Sequence, residues 1–360
     1  MARLVPDWQT NCVTLALPTK EMHYYNDHLP SLRRFYFRFV RVLLSAGVRV
    51  ICIVPDLPTA KRLHRGTGIP LQDCHIAPVL DIWLRDFAPV QTENGLVKFL
   101  YRPRYLGPAI ARRIEDSFMA YLNGYLAASP AERTFLKKGR SPHLSPKTSA
   151  ASRVLGEGSG GEPSYKKVSP EAIPLSHCDL VLDGGNLTTN GKVLILTERV
   201  LKDNPDRSER EITHLLRSTF DLDQVVLVPE EPGDKTGHID GMVRWLSENH
   251  LLVNDCRSLS QSYAQRLMNS LSSQLPGTRI TLIPYQLSRD KHKGWPDLAG
   301  NYTNFLLTKK ATFVPIYGIP LDQEAKRILR TLFGSIPAEF VQSTVISCYG
   351  GALNCITWNY

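Results

Sequence analysis

The chain has 360 residues, of which 42% are hydrophobic, and carries a formal net charge of +9 at pH 7. This hydrophobic fraction favours a soluble globular core, and the length fits either two ordinary domains or one large repeat-built domain. No apolar run reaches the roughly 18 residues needed to span a bilayer, and the N-terminus turns polar before a signal-peptide core develops. We therefore expect a cytoplasmic protein with no membrane-spanning segment.

Predicted helices and β-hairpins alternate along the chain. Helices are predicted where apolar residues recur at helical spacing, and hairpins where two short apolar runs flank turn residues. In chain order these elements are a helix over 28–46, a hairpin turning at Asn94-Gly95, a hairpin at Asn190-Gly191, a helix over 208–220, a hairpin near Glu248-Asn249, a helix over 260–275, a hairpin near Lys309-Lys310 and a helix over 322–333. Asn-Gly is a strong hairpin signal because both turn residues are expected to take positive φ.

A fifth hairpin unit is predicted from the two ends of the chain, with residues 354–358 beside residues 11–18. Closure of this kind would bury Cys355 centrally and protect the sheet edges, as in a propeller. Periodicity alone predicts a mixed α/β fold with antiparallel hairpins.

The positive charge is concentrated in one segment. Residues 131–170 contain eight lysines and arginines against three glutamates, a local excess of +5 within the total of +9. The segment is rich in Ser, Gly and Pro, so we interpret residues 131–172 as a flexible insertion in a single domain, either a lid or a solvated loop. Because this insertion holds more than half of the net charge, a nucleic-acid partner is not favoured.

Seven cysteines are scattered along the chain without paired spacing. This distribution argues against a zinc site and against a disulfide framework. We therefore expect neither a metal nor a cofactor.

Three polar motifs carry the candidate catalytic residues. They are DIWLRDFAP at 81–89, GHID at 237–240 and GGALNCIT at 350–357. If GHID is an extended strand, His238 and Asp240 point into the same cavity, because alternate side chains of a strand share a face. The first motif alternates in the same way, and Asp86 falls where this predicted strand gives way to a bend.

Four segments in this order resemble the agmatine deiminases and Porphyromonas-type peptidyl-arginine deiminases, members of the guanidine-modifying (pentein) superfamily. The segments are W-x-R-D-x-x-P at 83–89, Asp-Gly-Gly-Asn at 183–186, the GHID motif, and Gly-Gly-x-x-x-Cys-x-Thr at 350–357. The chain departs from the family at Asp183, where Glu is common, and at Asn354, where His is common. The resemblance covers most of the chain and implies a five-bladed α/β propeller and a metal-free deiminase.

By this resemblance, Asp86 and Asp240 hold the two sides of a planar guanidinium through paired N–H bonds. Trp83 packs against the substrate, Asp183 also contributes to binding, and the two glycines after it allow close backbone approach. The alternative for Asp86 is a turn-capping carboxylate or an ion-pair partner of Arg85.

The resemblance also implies that the Cys355 thiolate attacks the guanidinium carbon and expels ammonia, leaving a covalent thiouronium that water converts to a ureido product. A neighbouring cation, either His238 or the bound guanidinium itself, must favour the thiolate. His238 is expected to transfer the protons. The alternatives are that Cys355 is a small buried apolar residue and that His238 is structural.

Arg102 and Arg104 follow the first hairpin, where they could grip the carboxylate of arginine or of a C-terminal arginyl peptide. The alternative is that they form a solvated basic strand end. Agmatine carries no carboxylate.

The predicted reaction is conversion of agmatine to N-carbamoylputrescine and ammonia, a step of polyamine metabolism. Arginine or peptidyl-arginine is the second substrate hypothesis, and transfer of the amidino group to an amine is a related chemistry. A different class of function is a catalytically silent protein whose basic insertion binds nucleic acid. The sequence leaves the oligomeric state open, a homo-oligomer included.

Overall fold

A computed structural model describes residues 3–127, 173–286, 288, 290–334 and 336–360. The whole of the insertion predicted at 131–172 lies outside these described residues. Within the described part of the chain, no helix combines the length and the apolar character that a membrane crossing requires.

Five sheets repeat one pairing pattern, in which a central strand is antiparallel to one neighbour and parallel to the other. The strands are β1 Cys12–Ala16, β2 Arg49–Val54, β3 Cys74–Ile76, β4 Val90–Thr92, β5 Gly95–Leu100, β6 Leu175–Val181, β7 Thr188–Thr189, β8 Val193–Thr197, β9 Gln224–Val228, β10 Val243–Ser247, β11 His250–Asp255, β12 Arg279–Pro284, β13 Lys291–His292, β14 Trp295–Pro296, β15 Leu306–Leu307, β16 Thr312–Ile316, β17 Ala338–Gln342 and β18 Thr357–Asn359. Sheet orders are β18-β1-β2-β3, β4-β5-β6, β7-β8-β9, β10-β11-β12 and β15-β16-β17, with β13-β14 as a separate ribbon. The repetition agrees with the predicted hairpin units, while their radial order stays a prediction.

The α-helices lie between these strands in sequence. They are α1 Leu29–Ser45, α2 Leu57–Thr67, α3 Leu84–Phe87, α4 Pro108–Ala127, α5 Arg199–Asp203, α6 Glu209–Phe220, α7 Gln261–Gln274, α8 Leu321–Phe333 and α9 Thr344–Ser347. The four helices predicted from sequence are confirmed as α1, α6, α7 and α8. Ser208 and Ser260 cap the N-termini of α6 and α7 by accepting backbone N–H bonds, as Ser does at this position. The apolar face of α1, including Phe39, packs in one core with Val13 of β1 and Val50 of β2.

All four predicted hairpins form, as β4-β5, β7-β8, β10-β11 and β15-β16. The backbone of the two Asn-Gly turns differs from the expectation. In the described chain, neither Asn94 nor Asn190 is among the non-glycine residues at positive φ, while Gly191 has φ 91°. Asn190 Oδ1 instead accepts the backbone N–H of Lys192 at 3.0 Å and of Val193 at 2.7 Å, so an Asx-type turn fixes this hairpin.

The chain ends meet as predicted. Strand β18 pairs antiparallel with β1, with Val13 opposite Asn359 and Leu15 opposite Thr357. This pairing anchors the segment that carries Cys355, which lies immediately before β18 and is buried.

Both motifs predicted as strands have other local structures. Residues 84–87 form the single turn α3, and its Arg85 N–H donates to the carbonyl of Cys355 at 3.1 Å. GHID is an irregular segment that leads through a bend and a turn into β10, and the preceding Asp234 accepts the N–H of Thr236 and of His238. Side-chain and long-range hydrogen bonds therefore override the alternating pattern.

Candidate active site

A cavity of about 560 Å³ brings the predicted catalytic residues together. Cys355, His238, Asp86, Asp240 and Trp83 all line it. The expectation that His238 and Asp240 face one cavity is therefore met, although the GHID segment is not a strand.

Two polar side chains contact the sulfur of Cys355 in this cavity. Asn304 Nδ2 donates to Cys355 Sγ at 3.0 Å, and the thiol lies 3.5 Å from Asp240 Oδ2, to which it donates. Asn304 Oδ1 also accepts the backbone N–H of Ala352 at 3.1 Å and of Cys355 at 3.4 Å. One buried amide thus holds both the sulfur and the backbone around it. Sequence reasoning missed Asn304, which belongs to none of the three motifs.

Burial, and then the carboxylates of Asp240 and Asp86, raise the pKa of the Cys355 thiol well above its ordinary value. Desolvation and nearby negative charge both oppose the thiolate. Burial and the two carboxylates therefore favour the protonated thiol in this site.

His238 is clamped between two carboxylates. Its Nε2 lies 3.1 Å from Asp183 Oδ2 and its Nδ1 lies 3.6 Å from Asp86 Oδ1. Burial alone would lower the pKa of His238, but Asp86 and Asp183 outweigh it and raise this pKa to about 10. His238 is therefore an imidazolium in the neutral range. Asp183, predicted to contribute to substrate binding, contacts His238 here.

The carboxyl of Asp86 is buried, and this burial raises its pKa although His238 opposes the shift. It does not pair with Arg85, whose guanidinium instead contacts the carbonyl of Asn354 and the side chain of Asn359. Asp86 Oδ1 has no hydrogen-bond partner among the described residues. A buried acceptor without a partner is costly, so this oxygen is well suited to accept an N–H from a bound ligand.

Asp240 is fixed from two sides. Its backbone N–H donates to the carbonyl of Gly185 at 3.1 Å, and its Oδ2 accepts Asn354 Nδ2 at 2.7 Å. Asn354, where the family commonly has His, therefore positions a carboxylate of the cavity.

Two glycine motifs are required by close packing at the site. A Cβ on Gly185 would lie 2.5 Å from His238 Nδ1, and one on Gly184 would lie 2.0 Å from the carbonyl oxygen of Arg85. A Cβ on Gly351 would lie 2.3 Å from Trp83 Cζ3. These contacts confirm that the glycines after Asp183 serve close approach.

Arg102 and Arg104 are not brought into the cavity with Cys355. Both are exposed, and neither belongs to the residues that line it. Arg104 Nε donates to Asp203 Oδ1 at 2.7 Å, which agrees with the alternative of a solvated basic strand end.

Among the described residues, four further carboxyl residues line the cavity and have no assigned role, namely Glu21, Asp81, Glu231 and Asp234. The Tyr25 hydroxyl donates to Asp81 Oδ1 at 2.5 Å and the Ile82 N–H to the same oxygen at 2.7 Å. Burial raises the pKa of Asp81 to about 6.

One group of side chains has donor atoms close enough to hold a metal ion. In the described chain these are Asp27, His28 and His292, whose donor atoms lie within 4.8 Å of one another. Lys293 Nζ lies 3.0 Å from Asp27 Oδ1, which also accepts the Tyr349 hydroxyl at 2.8 Å. These bonds tie the β13-β14 ribbon to the segment before α1, and we assign the group no part in the chemistry.

The profile of the Porphyromonas-type peptidyl-arginine deiminase family matches residues 3–360. The chain belongs to this family. Among curated relatives, the agmatine deiminase of Stutzerimonas stutzeri (strain A1501) is 26% identical over 226 residues, which are 53% of this chain and 61% of that protein. The agmatine deiminase of Ectopseudomonas mendocina (strain ymp) is 28% identical over 206 residues, 49% of this chain and 56% of that protein. The chain thus spans about three fifths of the length of the curated relatives it matches.

Solved structures of similar shape include the C. jejuni agmatine deiminase, at a TM-score of 0.71 and 18% identity, covering 100% of this chain and 96% of that one. DDAH from Pseudomonas aeruginosa, in a complex with citrulline, has a TM-score of 0.51 at 11% identity, covering 98% of this chain and 100% of that one. The similarity to these structures over nearly the whole chain confirms the predicted α/β pentein fold class, while the five-bladed arrangement stays a prediction.

Proposed function

We propose that this protein hydrolytically deiminates a guanidinium compound, with agmatine as its substrate and ammonia and N-carbamoylputrescine as its products. The observation that supports this most directly is the placement of a buried thiol among Asp86, Asp240 and the His238 imidazolium around one cavity. The agmatine deiminases among the relatives support the choice of substrate.

The cavity offers carboxylates that can bind a guanidinium group. The group is planar and always protonated, and it presents paired N–H donors to carboxylates. Asp86 and Asp240 are the two acceptors, and Asp86 has an oxygen without a hydrogen-bond partner in the described chain. Trp83, which lines the cavity, supplies a flat apolar face for the guanidinium or for the alkyl chain.

The bound cation also favours ionisation of the Cys355 thiol to the thiolate. Asp240 and Asp86 oppose the Cys355 thiolate in the empty site, and a guanidinium between them supplies the compensating positive charge. Of the two cations considered for this role, the substrate is therefore the better one. Asn304 remains as the hydrogen-bond donor to the sulfur.

In the first half-reaction, the Cys355 thiol loses its proton to solvent as the guanidinium binds. The thiolate sulfur then bonds to the guanidinium carbon and gives a neutral tetrahedral adduct. His238, an imidazolium, donates its proton to one amino nitrogen, the C–N bond breaks, and ammonia leaves a positively charged thiouronium. In the second half-reaction, neutral His238 removes a proton from water as its oxygen attacks the same carbon. The C–S bond then breaks, the hydroxyl proton of this adduct passes to the departing sulfur, and the ureido product is released with Cys355 again a thiol.

The test is parallel incubation of the purified protein with agmatine, free arginine and a peptide ending in arginine, with ammonia and ureido product measured together. We expect equal amounts of both products from agmatine, and none from the Cys355→Ala variant. Turnover of the carboxylate-bearing substrates alone would replace the agmatine assignment, and ammonia release that requires an added amine would indicate amidino transfer. Silence on all three substrates would overturn the deiminase assignment.

A further inference from the structure

Glu231 is a buried carboxyl residue of the cavity wall that the proposed chemistry does not use. Its side chain is 7% exposed, and it lines the same cavity as Cys355. The Tyr285 hydroxyl donates to Glu231 Oε1, and Tyr285 is itself buried and lines the cavity. The pair therefore presents a desolvated carboxyl, held in one orientation, to the interior.

The immediate surroundings of Glu231 contain negative charge. The charged group that perturbs it is the carboxylate of Asp234, which also lines the cavity. Burial, and then Asp234, raise the pKa of Glu231 to about 8, although the Tyr285 hydrogen bond opposes the shift. Its neighbour Glu230 is different, because Arg199 Nη2 lies 2.9 Å from Oε2 of Glu230 and Lys202 Nζ lies 2.8 Å from Oε1. A buried carboxyl beside another carboxylate is stabilised when a cation binds.

Glu231 has different contacts from the guanidinium-binding carboxylates. Asp240 contacts Asn354 and Cys355 and Asp86 lies beside His238, whereas Glu231 accepts the Tyr285 hydroxyl. Asp81 already accepts two hydrogen bonds at one oxygen, from Tyr25 and from Ile82. Glu231 is therefore the better candidate for a second, separate subsite.

The charge of the lining as a whole points to the same ligand chemistry. Although the chain has a net charge of +9, the described residues that line the cavity include six acidic residues against one arginine, Arg113, in addition to His238 and His23. The acidic residues are Glu21, Asp81, Asp86, Glu231, Asp234 and Asp240. Such a cavity attracts dications and repels carboxylates.

We propose that Glu231, oriented by Tyr285 and assisted by Asp234, binds a primary ammonium at the far end of the substrate, so that the cavity selects aminoalkylguanidines over guanidino acids. Because this subsite is inferred for the deiminase proposed above, its test must separate recognition of the ammonium from the reaction. A buried site built to bind a charged group rejects an analogue that lacks this group, because its own polar atoms are left without a partner.

The turnover experiment compares three guanidines that differ only at the far end, namely agmatine, n-pentylguanidine and 4-guanidinobutanoate. For the wild-type protein we expect kcat/KM to be highest for agmatine, by about 100-fold or more over the other two. Glu231→Gln should lower kcat/KM for agmatine by about 30-fold or more and leave that for pentylguanidine within about threefold. Glu230→Gln is the matched control, since it makes the same change at a residue outside the cavity, and it should retain the agmatine preference.

A binding experiment is independent of turnover. Agmatine is titrated calorimetrically into Cys355→Ala and into Cys355→Ala/Glu231→Gln at pH 7, in buffers that differ in ionisation enthalpy. We expect proton release on binding to the first protein, because the raised pKa values of Glu231 and Asp86 lead both carboxyls to ionise when the dication arrives. We expect a smaller release together with weaker affinity in the second. Glu231-dependent binding without turnover by the wild-type protein would overturn the deiminase function and keep the subsite. Equal loss of agmatine and pentylguanidine turnover in Glu231→Gln, or agmatine affinity and proton release that do not depend on Glu231, would overturn the subsite.

Discussion

Asn304 donates a hydrogen bond from Nδ2 to Cys355 Sγ at 3.0 Å, while its Oδ1 accepts the backbone N–H of the same cysteine at 3.4 Å. A neutral donor at this sulfur stabilises the thiolate without adding charge. It also leaves the cation-binding role to Asp86 and Asp240. Asn304 therefore connects the placement of the nucleophile with its ionisation.

Asn304→Ala should reduce kcat for agmatine by about tenfold or more, because a hydrogen bond to a charged group contributes about 1.5–3 kcal/mol. Steady-state kinetics measure this effect. Asn254→Ala is the control, since Asn254 is also buried but bonds to Gly241 and does not line the cavity. If both variants lost the same activity per folded molecule, Asn304 would have only a structural role.

Cys355→Ala should abolish ammonia release and leave the far-ultraviolet circular dichroism spectrum unchanged. The variant removes the atom that forms the covalent intermediate, while the loss of one buried sulfur is a small change in core volume. Cys178→Ala, at a buried cysteine of β6, should retain turnover. Residual agmatine turnover above background in Cys355→Ala would rule out this cysteine as the nucleophile.

Alkylation should report the ionisation of the thiol. Because the pKa of Cys355 is raised well above its ordinary value, neutral iodoacetamide should inactivate the ligand-free protein more slowly at pH 7 than it reacts with a free cysteine, and its rate should rise as the pH increases above about 8.5. A haloacetamidine brings its own positive charge to Asp86 and Asp240, so it should react much faster at pH 7. Mass spectrometry of the adduct at Cys355 checks both rates, and faster reaction with iodoacetamide at pH 7 would contradict a protonated thiol.

Gly185→Ala should strongly lower kcat in a protein that still folds. The added Cβ would lie 2.5 Å from His238 Nδ1 and 2.8 Å from Asp86 Oδ1, so the two side chains must move from the positions in which they act on the substrate. Displacements of this kind strongly reduce rate. Gly107→Ala is the control, because it adds the same methyl group at a glycine with no atom within 4 Å of its Cβ position and outside the cavity lining. Full activity in Gly185→Ala would contradict this expectation, and it would mean that His238 and Asp86 can shift without loss of turnover.

Local signals predicted much of the fold. Hairpins such as β7-β8 and helices such as α6 depend on turn residues, caps and periodicity that lie within a few residues of one another. The pairing of β1 with β18 was predicted by matching the two chain ends, because a propeller-like fold leaves no other cover for their edges. The hydrogen bond from Arg85 N–H to the Cys355 carbonyl could not be predicted, because it joins residues far apart in the chain, and neither could the helical turn in which Arg85 lies.

The site was predictable only where its residues stand in motifs. Cys355, His238, Asp86 and Asp240 stand in recognisable segments, and the structure places all four at one cavity. Asn304 and Glu231 have no such context, since a single Asn or Glu in a polar segment is usually solvated. Their roles depend on partners distant in sequence, Cys355 for the first and Tyr285 for the second.

Glu231 should also make the stability of the ligand-free protein depend on pH. Its pKa is about 8 in the folded protein against about 4.3 in an unfolded chain, so the folded state binds a proton that the unfolded state releases between these values. Stability is therefore highest below about pH 4.3 with respect to this group, and it is progressively lost as the pH rises through 8. Glu231→Gln removes this loss and should raise the free energy of unfolding at pH 8.5 by roughly 2–4 kcal/mol, with little effect near pH 5. Urea unfolding at both pH values measures the difference, with Glu230→Gln as the control. Equal effects of Glu231→Gln at the two pH values would show that Glu231 is not held as a protonated carboxyl, and the cavity would then lack the desolvated group that favours an ammonium.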